Sequence, residues 1–155
     1  MIEQYDIQLA ASSDATAISE LSRDAIEQGL PWSWTPRRVA RSIRDRSTNV
    51  VVARQARGLF GFAIMKYDEE EAHLLLLAVQ PAQRRKGVGS ALLAWLEATV
   101  SVAGIPVVRL ETRAGNDEAR SFYRHHGFED VGLHEGYYQG VEDAMRMVKD
   151  LRRWT

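Results

Sequence analysis

Hydrophobic and polar residues follow two different periods along the chain, and the shorter period predicts strands. Tyr5, Ile7 and Leu9 alternate with polar residues, which is typical of a half-buried strand. Other short apolar segments are bounded by turn residues and predict further strands. The predicted strands cover residues 5–9, 49–54, 59–67, 72–79, 106–112, 128–138 and 143–149.

The longer period, in which apolar residues recur every three or four positions, predicts four helices. Thr35 has the side chain of an N-cap and is followed by Pro36 at the first helical position. Asn116 has the same capping chemistry. The helices are predicted to begin after Asp14, at Pro36, near Val88 and after Asn116, and Gly29, Gly104 and Gly127 follow the first, third and fourth.

The order of these elements predicts an α/β fold. Three strands come in succession as a meander, and later strands alternate with helices, which implies a mixed, mostly antiparallel sheet with helices on both faces. The chain has 155 residues, a common size for one domain, and no linker-like segment interrupts it. We therefore expect a single domain over residues 1–155.

Composition and charge exclude several classes of function. The formal net charge of -1 gives no overall attraction to nucleic acid or to an anionic membrane. The absence of cysteine excludes disulfides, thiolate metal ligands and a cysteine nucleophile, and we expect no metal. Residues 1–9 lack a basic region followed by an apolar run, and no apolar segment reaches about 20 residues. We expect a cytoplasmic protein with no nucleic-acid or membrane partner.

The segment from Arg84 to Ser90 is a candidate anion site. It lies between the strand ending at Val79 and the long helix, so the amides of the first helical turn point at one place. Gly87 and Gly89 let a ligand approach the backbone. Arg84, Arg85 and Lys86 add positive charge.

The residues of this segment do not match two other known phosphate-binding motifs. A P-loop needs Gly-Lys-Ser/Thr, but here Lys86 precedes Gly87. A dinucleotide fingerprint needs a third glycine where Leu92 stands. The residues alone also allow a tight turn with a solvated basic surface.

The run Val79, Pro81 and Arg84-Arg85-Lys86-Gly87-Val88-Gly89 resembles the acetyl-CoA signature of the GNAT superfamily of N-acetyltransferases. Leu110-Glu111-Thr112-Arg113, Asn116, Ala119, Phe122-Tyr123 and Gly127-Phe128 resemble the second half of the family pattern. The chain is most similar to RimI-type enzymes, which acetylate the N-terminal alanine of a ribosomal protein. Pro31-Trp32-Ser33, Tyr137-Tyr138 and Glu142-Asp143-Ala144-Met145 carry that closer similarity.

This resemblance implies acetyl-CoA as co-substrate and assigns residues to it. Backbone groups of one strand would meet the pantetheine arm, and the glycine-rich segment would hold the pyrophosphate. The implied residues are Leu77, Ala78, Val79, Arg84, Arg85, Lys86, Gly87, Val88, Gly89, Ser90 and Asn116. Glu111 would be the general base and Tyr123 the general acid.

The residues themselves leave other roles open for these side chains. Glu111 lies on the polar face of its strand, where an ion pair with an arginine is equally plausible. His73 is a competing base, although it shares a predicted face with Leu75 and Leu77. Tyr123 could be a core residue.

Aromatic residues in predicted loops are candidates for binding the acceptor. We assign Trp32, Tyr137 and Tyr138 to this role, and simple edge packing is the alternative. The expected function is direct acetyl transfer to a primary amine, with a protein N-terminus as the favoured acceptor. A small-molecule amine acetyltransferase and a non-catalytic coenzyme A binding module are the alternatives.

Overall fold

The computed structural model describes residues 5–56 and 58–154, which form one seven-stranded sheet. The strands are β1 (Asp6–Leu9), β2 (Thr48–Gln55), β3 (Gly58–Tyr67), β4 (Glu71–Val79), β5 (Val107–Arg113), β6 (Glu129–Tyr138) and β7 (Glu142–Asp150). Their order in the sheet is β1-β2-β3-β4-β5-β7-β6. The β4–β5 pair is parallel and the other pairs are antiparallel, which confirms the predicted mixed sheet.

The four predicted helices are present as α1 (Ala15–Ala25), α2 (Pro36–Arg44), α3 (Val88–Val102) and α4 (Asp117–His125). Both predicted caps are confirmed. Thr35 Oγ1 accepts a hydrogen bond from Arg38 N at 3.3 Å, and Asn116 Oδ1 accepts one from Ala119 N at 3.1 Å. Residues 12–14 form a short 3₁₀ turn, in which Asp14 accepts from the Ala11 amide at 2.8 Å.

Helices cover both faces of the sheet, as the pattern predicts. On one face α3 contributes Leu92 and Leu96 to a core that includes Val51 of β2. On the other face α1 and α2 pack against a second core, which includes Val52. Adjacent residues of β2 thus serve opposite cores, and this explains why the central strands are apolar throughout.

A β-bulge shifts the alternation of β4 in its middle. Ile64 is opposite Leu76 and Met65 is opposite Leu74, so Leu75 is an extra residue. Leu74 consequently lies in the core beneath α3, whereas Leu76 lies in the core beneath α1 and α2. The sequence predicts Leu75 and Leu77 on one face. The bulge instead places them against opposite cores.

The parallel pairing of β4 and β5 ends just before this bulge. It runs from Glu71 opposite Val107 to Leu74 opposite Leu110, while both strands continue beyond these residues. β5 remains paired with β7 as far as Arg113. The two central strands therefore part, and the sheet has an opening between its faces.

No helix in residues 5–56 and 58–154 is long and apolar enough to cross a membrane. Residues 1–4, which belong to the N-terminal segment used for the expectation of a cytoplasmic protein, lie outside the described residues.

The packing of β3 against β4 can be tested at Gly61. A Cβ atom there would lie 2.8 Å from the Ala78 carbonyl oxygen and 3.3 Å from Leu92 Cδ1. We expect Gly61→Ala to lower the free energy of unfolding by roughly 1–3 kcal/mol, because backbone must move to admit the methyl group. Urea denaturation measures this change. Gly115→Ala is the control, since nothing lies within 4 Å of its Cβ position. Equal stability of the two variants would contradict the close packing.

Candidate active site

A cleft of about 1090 Å³ passes through the opening between β4 and β5. On the α3 face it is lined by the loop that precedes α3 and by the start of α4. On the opposite face it is lined by the connection between α1 and α2 and by the β6–β7 turn. The opening thus joins two surfaces that an unbroken sheet would separate.

The loop before α3 has the backbone shape of an anion cradle. Arg85 and Gly87 have positive φ angles of 64° and 82°, and Gly87 is the N-cap of α3. The first amides of a helix have no intrahelical acceptor and carry a partial positive charge. A Cβ atom at Gly89 would lie 3.4 Å from the Phe122 ring, so glycine permits the close approach of α4. Ser90 Oγ is bonded to His126 Nε2 at 2.9 Å.

The exposed edge of β4 continues the cradle into the opening. Leu77, Ala78 and Val79 line the cleft, and β3 pairs with them on their other side only. An unpaired strand edge offers alternating N–H and C=O groups to a ligand that contains amides. The loop and this edge together fit a long ligand that has a diphosphate at one end and amide groups along its arm.

Glu111 lies on the other face of the sheet, because Val108 and Leu110 of the same strand pack beneath α3. Its side chain is 2% exposed and its two carboxylate oxygens have four partners. Oε1 lies 2.6 Å from His73 Nε2 and 3.2 Å from the Tyr137 hydroxyl. Oε2 accepts from Arg109 Nη1 at 2.8 Å and from Arg146 Nε at 3.2 Å.

These partners keep Glu111 ionised. Burial alone would raise its pKa, but the hydrogen bond and charge of His73, together with the charge of Arg109, outweigh burial and lower the pKa to about 2. The ion pair expected as one alternative for Glu111 is therefore present. The same carboxylate also lines the cleft.

Both ring nitrogens of His73 have hydrogen-bond partners. Its Nδ1 lies 3.2 Å from Arg109 Nη2, which can only donate, and its Nε2 faces the Glu111 carboxylate, which accepts. Nε2 is therefore the ring nitrogen that donates to Glu111, and Nδ1 faces a guanidinium donor. Both ring nitrogens of His73 thus face protein partners, and His73 is not among the residues that line the cleft.

Tyr123 faces the opening from α4, on the α3 side of the sheet. Its ring centroid lies 5.1 Å from that of Phe122 and 5.6 Å from that of Phe128, both in edge contact. Its hydroxyl has no hydrogen-bond partner among the described residues, although Tyr123 lines the cleft. Burial raises the pKa of this phenol, so the group stays protonated at neutral pH.

Comparison with known proteins shows the family. The model described as "Acetyltransferase (GNAT) domain" matches residues 46–130, which is more than half of the chain. The chain belongs to the GNAT acetyltransferase family. It is an acetyl-CoA-dependent N-acetyltransferase, and coenzyme A contains a diphosphate and an arm with two amide groups.

Three relatives illustrate the similarity. The [ribosomal protein bS18]-alanine N-acetyltransferase of Escherichia coli strain K12 is 32% identical, covering 74% of this chain and 78% of that protein. The N-alpha-acetyltransferase of Sulfolobus acidocaldarius is 30% identical, covering 95% of this chain and 93% of that protein. The crystal structure of Ard1 from Thermoplasma volcanium superposes with a TM-score of 0.83 at 28% identity, covering 94% of this chain and 97% of that one.

Most of the residues predicted for this acetyltransferase site line one cleft. They are Leu77, Ala78, Val79, Arg84, Arg85, Gly87, Val88, Gly89, Ser90, Glu111, Asn116, Tyr123, Tyr137 and Tyr138. Lys86 and Trp32 are not among its lining residues.

The role of Trp32 in binding the acceptor stays a prediction, and its neighbour Trp34 is the tryptophan that lines the cleft. Trp32 is 41% exposed, and the Arg23 guanidinium lies 5.3 Å from its ring centroid. Trp34 is 8% exposed and lines the cleft. Both tryptophans belong to the same irregular loop, so the sequence alone does not predict which of the two rings points into the cleft.

Glu27 is a site residue that the sequence analysis missed. It is buried and fixes the loop between α1 and α2. Its Oε1 accepts from Ser33 N at 2.7 Å, Ser33 Oγ at 2.8 Å and Trp34 N at 3.1 Å, and its Oε2 accepts from Ser22 Oγ at 3.0 Å. No residue pattern predicts these hydrogen bonds to Glu27, because their donors come from both sides of an irregular loop.

The lowered pKa of Glu111 predicts a pH-dependent stability. Its pKa falls from 4.5 to about 2 on folding, so its ionised form stabilises the fold above about pH 5, and this stabilisation is lost as the pH falls toward 2. We expect a loss of roughly 2–3 kcal/mol from this residue. Urea denaturation between pH 7 and pH 3 should show a steeper loss for wild type than for Glu111→Gln. Glu70→Gln, an exposed position in the β3–β4 turn, is the control and should behave like wild type. Parallel curves for wild type and Glu111→Gln would contradict the pKa.

Proposed function

We propose that this acetyltransferase transfers the acetyl group directly from acetyl-CoA to the α-amine of a protein N-terminus. Two of the relatives above support this acceptor by name, as a ribosomal-protein alanine N-acetyltransferase and an N-alpha-acetyltransferase. The cleft supports a single direct transfer, because the donor loop and Glu111 meet in one opening.

The names of these relatives carry the choice of acceptor, and the weak basicity of Glu111 is consistent with it. A carboxylate with a pKa of about 2 cannot deprotonate a fully charged amine efficiently. An α-amine with a pKa near 7.7–8.0 is partly neutral at pH 7, whereas a lysine amine near 10.4 is not. Supplying the neutral form costs about 3.4 kcal/mol more for lysine. The site therefore favours an acceptor that arrives already neutral.

Glu111 then has a limited task that its low pKa allows. The amine nitrogen becomes far more acidic once it bonds to the acetyl carbon. We propose that Glu111 receives this proton through a water molecule. Its fixed negative charge also stabilises the positive charge that develops on the nitrogen. Tyr137, bonded to the same carboxylate oxygen, helps to hold it in place.

Tyr123 serves the leaving group. A new bond forms between nitrogen and the acetyl carbon, and the bond between that carbon and sulfur breaks with its electron pair on sulfur. Tyr123 donates its proton to this thiolate and regains one from solvent. Because burial keeps the phenol protonated, the donor form is present at neutral pH.

Backbone groups would bind acetyl-CoA at two places along its length. We propose that the amides from Arg85 to Ser90 bind the pyrophosphate and that the edge formed by Leu77, Ala78 and Val79 pairs with the pantetheine arm. Arg84 Nε donates to the Val79 carbonyl at 3.3 Å, which holds the loop near this edge. Asn116 uses its side-chain oxygen to cap α4, so any contact with the donor comes from its other groups.

Two substitutions test the catalytic roles. Tyr123→Phe and Glu111→Gln should each lower kcat by roughly 10²–10⁴-fold, with a smaller change in the KM for acetyl-CoA. Steady-state thiol-release assays measure both constants. Tyr5→Phe, whose ring lies against Phe60 at 5.8 Å, is the control and should keep wild-type values. Unchanged kcat in both active-site variants would contradict these roles.

The acceptor is tested by a direct comparison of amines. One peptide has a free N-terminal alanine, a second is blocked at its N-terminus and carries an internal lysine, and spermidine represents small amines. We expect the free α-amine to have the highest kcat/KM. Preferred turnover of spermidine would favour the small-molecule alternative. Acetyl-CoA binding without thiol release to any amine would favour the non-catalytic module.

A further inference from the structure

The acceptor side of the cleft contains one charged group that its neighbours do not neutralise. Arg38, at the start of α2, lines the cleft, and no described residue forms an ion pair or a side-chain hydrogen bond with its guanidinium. The acidic residues on this side are all engaged. Glu111 is bonded to two arginines, Glu142 lies 3.3 Å from Arg113, and Glu27 is bonded to its own loop.

Packing holds the Arg38 guanidinium in one place. Its Cζ atom lies 3.7 Å from the centroid of the Trp34 ring, so the planar group stacks on a buried aromatic residue. Trp34 is in turn fixed by the bond from its amide to Glu27. A stacked guanidinium keeps its N–H donors directed outward, where they match the two oxygens of a carboxylate.

The surface beside Arg38 is also basic. Arg37, Arg38, Arg41 and Arg44 are exposed on the nine-residue helix α2, and Val39 is buried on its inner side. At about 100° per residue, Arg41 lies about 60° around the helix from Arg38, whereas Arg44 lies about 120° away on the far flank. Arg41 thus continues the positive surface from the cleft, and Arg44 does not.

Arg38 lines the same cleft as Glu111. It interacts electrostatically with Glu27 and Tyr137, and the Tyr137 hydroxyl is bonded to Glu111. An extended acceptor advances about 3.3 Å per residue. The first few side chains of a peptide whose amine lies near Glu111 can therefore reach Arg38 along the same cleft.

We propose that Arg38, together with Arg41, selects acceptors that carry a carboxylate side chain in the second or third residue. This inference rests on the proposed function, because it assumes a peptide acceptor. The chain as a whole has a formal net charge of -1, so the positive surface is local to α2. Its continuity with the cleft through Arg38 favours an acidic peptide over a nucleic acid.

Three peptides that differ only in residues two and three test the proposal. They begin Ala-Glu-Glu, Ala-Gln-Gln and Ala-Lys-Lys and are assayed for thiol release with wild type and variants. We expect wild type to favour the acidic peptide over the neutral one by about fivefold in kcat/KM, mainly through KM. About 0.5 M salt should reduce this preference, because it screens exposed charges.

The variants separate charge from folding. Arg38→Gln should bring the acidic-to-neutral ratio close to one, Arg38→Lys should retain part of it, and Arg38→Glu should reverse it in favour of lysine. Arg44→Gln is the matched control on the far flank and should keep the wild-type ratio. If every Arg38 variant loses all turnover, the acidic-to-neutral ratio of kcat/KM is measured for Arg41→Gln instead. A ratio below that of wild type supports the proposal, and an unchanged ratio overturns it.

The remaining outcomes distinguish this inference from the proposed function. Equal turnover of the three peptides by wild type overturns the inference and leaves N-terminal acetylation intact. Turnover of spermidine with none of the peptides contradicts both. Equal peptide turnover combined with inhibition by an RNA oligonucleotide that Arg41→Gln abolishes would assign the arginines to nucleic acid and also overturn the inference.

Discussion

The parting of β4 and β5 is the constraint on which the rest of the site depends. A sheet with helices on both faces normally keeps its two surfaces separate, because paired backbone groups and packed side chains fill the middle. Here the pairing ends at Leu74 and Leu110, and the bulge at Leu75 reverses the side-chain alternation of β4. The opening exposes a strand edge and lets groups from both faces act on one substrate. Without it, Tyr123 and Glu111 would lie on opposite sides of a closed sheet.

The electrostatics of the acceptor side follow from this geometry. Glu111 is nearly inaccessible, and a buried carboxylate is stable as an anion only when donors surround it. His73, Arg109 and Arg146 supply them, so the carboxylate stays ionised at neutral pH and is a weak base. In the mechanism we propose, such a group positions an amine and stabilises the positive charge on it but deprotonates it poorly. The acceptor then supplies the neutral nitrogen, so the hydrogen bonds around Glu111 influence the choice of substrate.

Sequence patterns were sufficient for those features that depend on local chemistry. Thr35 and Asn116 were identifiable as caps because their side chains satisfy amides three residues ahead. The anion loop was identifiable because it needs glycine at fixed places beside a helix start. The bulge was not predictable, since a run of four leucines carries no alternation from which a shift could be read. The orientation of Trp34 into the cleft and the hydrogen bonds to Glu27 depend on contacts across an irregular loop. Such contacts leave no periodic pattern in the sequence.

In the mechanism we propose, donor and acceptor enter from opposite faces of the sheet and meet where β4 and β5 part. A crystal structure with a conjugate that joins coenzyme A through an acetyl linker to the α-amine of an alanine peptide tests it most directly. We expect the diphosphate at Gly87 and Gly89, the sulfur beside the Tyr123 hydroxyl, and the peptide leaving on the Glu111 side between the α1–α2 connection and the β6–β7 turn. A conjugate whose peptide and coenzyme A arms both lie on the α3 face would contradict it.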